Sequence, residues 1–296
     1  VSTQVPALLD GLVDDAAVFP PGSASLPDAV AAHRRHRTSW YADLVGPLLV
    51  PATKLPALAG LLGSDERIDV GVIGDLPIGQ LDKVRAEADP RLRVRQVEAA
   101  VAKRGEDPLP GLAELVAMAR RAAAPEGESA DSVPDRLDVY AELPLTFGLM
   151  GALDALATAR ADGVPIAAKF RTGGLAAELF PTPAELAAVI CACRDRQLPF
   201  KLTAGLHQAV RHLDPETGFT HHGFGNVLAA TLAAADGAAT STVAELLTAA
   251  DPRPLVQWAE PRLDTARRLW VGFGSCSILE PLTDLIRLGL VNGGDA

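Results

Sequence analysis

"AAKFRTGG", residues 167 to 174, is a run of small and apolar residues that carries a lysine and an arginine two positions apart. Its length and its closing glycines are those of a buried strand. Side chains alternate along a strand, so Lys169 and Arg171 fall on one face. "PFKLTAGLH", 199 to 207, repeats the arrangement with Lys201 and Thr203 in step. Between the two lies one helical stretch, "TPAELAAVICACRDR". Strand, helix, strand is the unit from which parallel sheets are built.

The same alternation extends in both directions. Apolar strand-like runs stand at 12 to 20, 44 to 52, 68 to 75, 92 to 101, 137 to 145, 166 to 173, 200 to 207 and 269 to 276. Helical stretches such as "SLPDAVAAHRRH", "GLAELVAMARRAAA" and "MGALDALATARADG" separate them, several opening on a capping residue or an early proline and ending at glycine. Eight strands alternating with helices predict an α/β fold, a (β/α)8 TIM barrel, in a single domain spanning 1 to 296. Two segments depart from the repeat. "APEGESADSVPDR", 124 to 136, reads as a surface loop. The stretch from 208 to 267 is longer than one barrel connection needs, and reads as a helical insertion after the seventh strand, over the barrel mouth.

Composition narrows the classes of function. With 48% hydrophobic and 22% charged residues the 296-residue chain is globular, and with only 4% aromatics its core is built from Ala, Leu and Val. A net charge of −10 argues against nucleic acid and against an anionic membrane as partner. No apolar run has the length of a membrane span, and "VSTQVPALLDGLVDD" has neither the basic nor the apolar region of a signal peptide, so a cytoplasmic location is expected. Three cysteines, two of them in "CAC" at 191 to 193, match no disulfide framework or zinc pattern and read as reduced thiols. No histidine, cysteine or carboxylate spacing matches a metal site, and neither a dinucleotide fingerprint nor a P-loop is present, so neither metal nor cofactor is expected.

Catalytic side chains in barrels project from the C-terminal ends of strands. The outward strand face packs under helices, where a bare cation is costly, so Lys169 and Lys201 are expected to face inward. Two ammonium groups in one desolvated cavity would push a lysine pKa down, and a neutral amine is what attacks a carbonyl to form an imine. Two other accounts stay open: each lysine pairs with a barrel carboxylate, or both bind an anion.

The motifs, taken in order, resemble those of class I, Schiff-base aldolases of the deoxyribose-phosphate aldolase family, along nearly the whole chain. "GLVDDAAVFPP" resembles that family's first strand and carries Asp14; "GPLLVPATKLPALAGLL" and "VGVIGDLPIG" resemble the second and third. "VRQVEAAV" places Glu98 where the family has an acidic catalytic residue. "KFRTGG" and "FKLTAGL" place Lys169 and Lys201 where it has its Schiff-base lysine and the lysine that tunes it. "GFGSCSILEPL" resembles the phosphate-binding turn, through Gly274, Ser275 and Ser277. The resemblance implies a carbon–carbon lyase that forms an imine at Lys169 with a small carbonyl or phosphorylated substrate. In it Lys201 holds Lys169 neutral and Glu98 shuttles protons.

Departures point to a different substrate. Arg171 and Gly174 replace the family's small hydroxyl residues, and the acidic residue is Glu98 rather than an aspartate. Arg171 either meets an acidic group of the substrate or pairs with Glu98 or Glu142. Glu142, in "YAELP", reads as a charge partner of Lys169 or a second acid/base group. Thr203 and His207 sit at the end of the seventh strand, where His207 is a candidate for substrate contact. Gly274, Ser275 and Ser277 form either an anion site at a helix start or an ordinary serine cap. Competing readings are a non-covalent sugar-phosphate isomerase or epimerase, and a ligand-binding barrel without catalysis. Such barrels often self-associate through helices, which makes a homo-oligomer an expectation.

Overall fold

The apolar runs become parallel strands in chain order: β1 (Val13–Asp15), β2 (Val45–Pro51), β3 (Ile68–Ile73), β4 (Leu92–Ala100), β5 (Asp138–Glu142), β6 (Ile166–Arg171) and β7 (Phe200–Thr203). A short antiparallel hairpin, β8 (His212–Leu213) and β9 (Thr220–His221), precedes the last long strand, β10 (Trp270–Ser275). In the computed structural model, which describes residues 5–123 and 137–293, the eight parallel strands close into a barrel in the order β1-β10-β7-β6-β5-β4-β3-β2. This is the (β/α)8 TIM barrel. The segment expected as a surface loop, 124 to 136, lies outside the described residues.

The helices are α1 (Leu26–Arg37), α2 (Leu55–Ala59), α3 (Ile78–Ala86), α4 (Leu109–Ala123), α5 (Leu149–Ala161), α6 (Pro183–Asp195), α7 (Phe224–Ala235), α8 (Thr240–Thr248), α9 (Arg253–Ala259) and α10 (Leu279–Arg287). Their boundaries follow local chemistry. Ser25 caps α1 by accepting the Asp28 amide, and Thr182 and Glu185 form a reciprocal capping box at α6 with Pro183 in its first turn. The first strand is shorter than its apolar run. Its chain turns after Asp15, whose Oδ1 accepts the Ala17 amide at 3.2 Å, and this removes the next residues from the ladder.

Contacts group the chain into two units, Pro47–Phe170 and Val1–Gly46 with Arg171–Ala296. In the first, α4 buries Leu112, Leu115, Met118 and Ala119 along one stripe and packs against α3 and α5. A register shift between β3 and β4 at Val70/Gly71 sets Arg93 and Arg95 both against Asp69, while Gln96 and Glu98 are buried.

In the second unit, Trp270, Phe273 and Phe224 stack in sequence, with centroids 5.6 and 5.5 Å apart. Between β7 and β10 lie the hairpin and three helices, α7, α8 and α9, where the repeat needs one helix; this is the extended helical connection expected after the seventh strand. The helix α7 is buried on nearly every side and packs against α6, α8 and α9. Alanine-rich α7 lets its neighbours approach closely, and its Asn226 ties the region together. The Asn226 side chain donates to the carbonyls of Leu246 and Ala249 at 2.7 and 2.8 Å and accepts the Arg211 amide at 2.8 Å. An Asn226→Leu variant strands these three backbone groups, and urea unfolding is expected to show a loss of about 2–4 kcal/mol.

Candidate active site

Lys169 stands two residues from the end of β6, and the parallel register sets it directly beside Glu142, the last residue of β5. Glu98, on β4, is opposite Tyr140 on β5. Strand pairing thus gathers one lysine and two carboxylates that are far apart in sequence. Lys169 Nζ lies 2.7 Å from Glu98 Oε2 and 2.8 Å from Glu142 Oε2. Gln96, two residues before Glu98 on the same strand, donates to Glu98 Oε1 at 3.1 Å. Lys169 and Glu98 are almost fully buried, and the Glu142 side chain keeps 19% of its exposure. The effective penalty for burying an ion is several kcal/mol, so this group persists because each charged atom meets a partner.

The charge state of Lys169 follows from this geometry. Burial lowers its pKa, but Glu98 and Glu142 outweigh burial, and the net direction is upward from the ordinary 10.5. This corrects the sequence expectation of a lysine held neutral by a second ammonium. The reason is simple: alternation shows which strand face a residue occupies, but not which carboxylate the neighbouring strand brings beside it.

Lys201 has its own counter-ion. On β7, in register with Gly272 of β10, it contacts the Asp14 carboxylate of β1, both side chains being buried. Asp14 is accommodated because residue 46 is glycine: a β-carbon there would collide with Asp14 Oδ1. The next residue, Asp15, points its Oδ2 at His33 Nδ1 at 3.0 Å, again buried. Each lysine thus meets carboxylate.

The remaining candidates take varied positions. Arg171 ends β6 and is exposed. The Thr203 carbonyl accepts the Thr172 amide at 2.9 Å, and the Thr172 hydroxyl donates to the Ala204 carbonyl at 2.6 Å. These bonds hold Ala204 in a left-handed conformation, φ 64°, that a non-glycine residue rarely adopts. Gly274 is paired with both Asp14 and Thr203. Ser275 is buried, its hydroxyl donating to the Ser277 carbonyl at 2.8 Å and accepting the Ser277 amide at 3.3 Å. The Ser277 hydroxyl in turn accepts the Glu280 amide at 3.3 Å, so two of this turn's amides are met by serine hydroxyls. His207 places Nδ1 3.4 Å from Glu280 Oε2 and 3.7 Å from Cys276 Sγ.

His222 serves the fold: it is buried with Nε2 2.7 Å from the Pro181 carbonyl, and burial pulls its pKa down to about 4. Among the described residues no group of three or more His, Cys, Asp or Glu side chains is placed to hold a metal ion. Nor is any helix among them long and apolar enough to cross a membrane. His33 and Gln96 are the residues that sequence reasoning missed. No signal marks either one, since a histidine in a basic helix and a glutamine in a charged strand look like surface residues.

Comparison with protein-family models, curated proteins and solved structures finds no match to this chain.

Two measurements check this electrostatic account. Asp14→Asn leaves Lys201 buried without its anion and is expected to cost about 3–5 kcal/mol in urea unfolding, much of it recovered in the double variant Asp14→Asn/Lys201→Met. The second follows from the raised pKa of Lys169. The native state keeps that proton above pH 10.5, where the unfolded chain releases it, so the stabilisation is complete below pH 10.5 and is lost as pH rises through the higher native value. The stability of Lys169→Met is expected to fall less steeply than that of the unmodified protein above pH 10.5.

Proposed function

We propose that the protein is a carbon–carbon lyase of the class I aldolase type, in which Lys169 forms an imine with a small carbonyl substrate. The observation that carries the proposal is the buried Lys169 amine with two carboxylates at 2.7 and 2.8 Å. A protonated lysine is not a nucleophile, but here each proton acceptor it needs is already in hydrogen-bond reach.

The steps balance around that group. Lys169 passes one ammonium proton to Glu98, and the freed amine pair attacks the substrate carbonyl carbon to give a carbinolamine. Protonated Glu98 returns its proton to the carbinolamine hydroxyl, which leaves as water, and the nitrogen is now an iminium. Cleavage of the adjacent carbon–carbon bond sends its electron pair into the iminium and gives an enamine, while the hydroxyl proton of the leaving aldehyde passes to a carboxylate. That carboxylate then protonates the enamine carbon. Water hydrolyses the resulting iminium and frees Lys169. No outside oxidant or reductant enters.

Glu98 is suited to the shuttle because Gln96 fixes its other oxygen. Glu142, the more exposed of the two, is suited to meet the substrate hydroxyl. Lys201 pairs with Asp14 and ties β7 to β1. Arg171, exposed at its strand end, suits an acidic group on the substrate.

One observation favours a second reading. Because the carboxylates raise the Lys169 pKa, the ammonium is also suited to stabilise an enolate oxygen without a covalent bond, as in an isomerase or epimerase. Borohydride trapping separates the two. With a panel of aldehydes, ketones and 2-oxo acids, the lyase reading expects a reduced adduct on Lys169 by peptide mass spectrometry, absent in Lys169→Arg. If no carbonyl compound leaves an adduct while Lys169→Arg retains partial turnover, the non-covalent reading replaces it.

A further inference from the structure

A cavity of about 650 Å³ opens at the C-terminal ends of β7 and β10, walled by the hairpin on one side and α10 on the other. Its size suits a small polar metabolite. Two pairs stand out among the polar groups that line it. On the hairpin, His221 directs Nδ1 to the Gly205 carbonyl at 3.2 Å, which fixes that nitrogen as the protonated one. Its Nε2 is then a lone-pair acceptor; it is buried and meets no hydrogen-bond partner among the described residues. The nearest charged atom, Asp214 Oδ2, is another acceptor, 3.8 Å away. On the α10 side, His207 and the Glu280 carboxylate face the same space.

Charge in the cavity is predominantly negative. Asp214, Glu280 and Asp284 line it with Arg287 as their cationic neighbour, and Arg287 is drawn to Asp284 at 3.4 Å. Asp284 is also occupied by the Ala209 amide at 2.8 Å. Hydrogen bonds from Thr217 and the Glu216 amide hold the Asp214 carboxyl below its usual range, and burial lowers the His221 pKa, so near neutral pH the first is ionised and the second neutral. Two facing acceptors, one of them orphaned, are satisfied by a group that donates to both. A phosphate would bring further acceptors and further negative charge to the same place.

We propose that this cavity is a binding site for an unphosphorylated polyol or amino polyol, whose hydroxyl or ammonium group donates to His221 Nε2 and Asp214 together. Glu280 and His207 receive the remaining hydroxyls. The site is built wholly from residues outside the Lys169 cluster and does not depend on imine formation.

Three probes on one carbon skeleton test it: sorbitol, glucamine and sorbitol 6-phosphate. Each is titrated into the 296-residue protein while the imidazole signals are followed by ¹H–¹⁵N NMR, with no carbonyl compound present, so the outcome is independent of lysine chemistry. Sorbitol or glucamine is expected to shift the His221 and His207 ring signals saturably, and Asp214→Asn to weaken glucamine binding about tenfold or more. Asp214 is partly exposed on a short hairpin, and Glu280→Gln supplies a second variant on a different element, also expected to weaken binding. Tighter binding of sorbitol 6-phosphate than of sorbitol overturns the proposal, as does the absence of ring-signal shifts with all three probes.

Discussion

The constraint on which this protein's chemistry turns is the burial of a lysine ammonium between two carboxylates. An ammonium taken out of water persists only where opposite charge replaces the solvent it lost. At Lys169 that replacement comes from β4 and β5, and it works only in the register that the strands adopt. A one-residue slip of β6 would turn Lys169 to the other face of the sheet and leave Glu98 and Glu142 as unpaired anions. The ion pairs and the strand register therefore specify one another.

The same logic recurs around Lys201 with different parts. One carboxylate suffices there, provided that Gly46 leaves it room, and the adjacent Asp15 holds His33. Two neighbouring aspartates thus secure two different cationic or protonatable side chains from a strand of three residues. The polar "VDD" sequence, unpromising as a barrel stave, is explained by these partners. A barrel that buries several charges needs carboxylate where an ordinary barrel carries valine or isoleucine.

Much of this was legible in the sequence, and the limits are instructive. The eight strands follow from apolar runs bounded by glycine and proline, and helix starts follow from Ser25 and Thr182. The residues of the lysine cluster were also legible, because a lysine inside an apolar strand demands an account. The pairing of Lys169 with Glu142 was legible too, as one of the accounts the sequence leaves open. What was not legible was which further carboxylates the lateral register adds: Glu98 at Lys169 and Asp14 at Lys201. The long helical connection at 208 to 267 was legible from its length, but the hairpin within it and the near-complete burial of α7 were not. Asn226 and His33 escaped notice because their roles depend on partners 20 and 18 residues away.

Proton inventory links structure to chemistry here. A resting ammonium beside two carboxylates stores, at one place, the proton that the proposed imine formation would remove and later return. The most direct test is the ¹⁵N signal of the Lys169 side chain, assigned by its loss in Lys169→Arg and followed as pH is raised. An ammonium signal at neutral pH that persists beyond pH 10.5 agrees with an amine held charged by Glu98 and Glu142. A neutral-amine signal at pH 7 would contradict the account and return Lys169 to the role of a lysine deprotonated at rest.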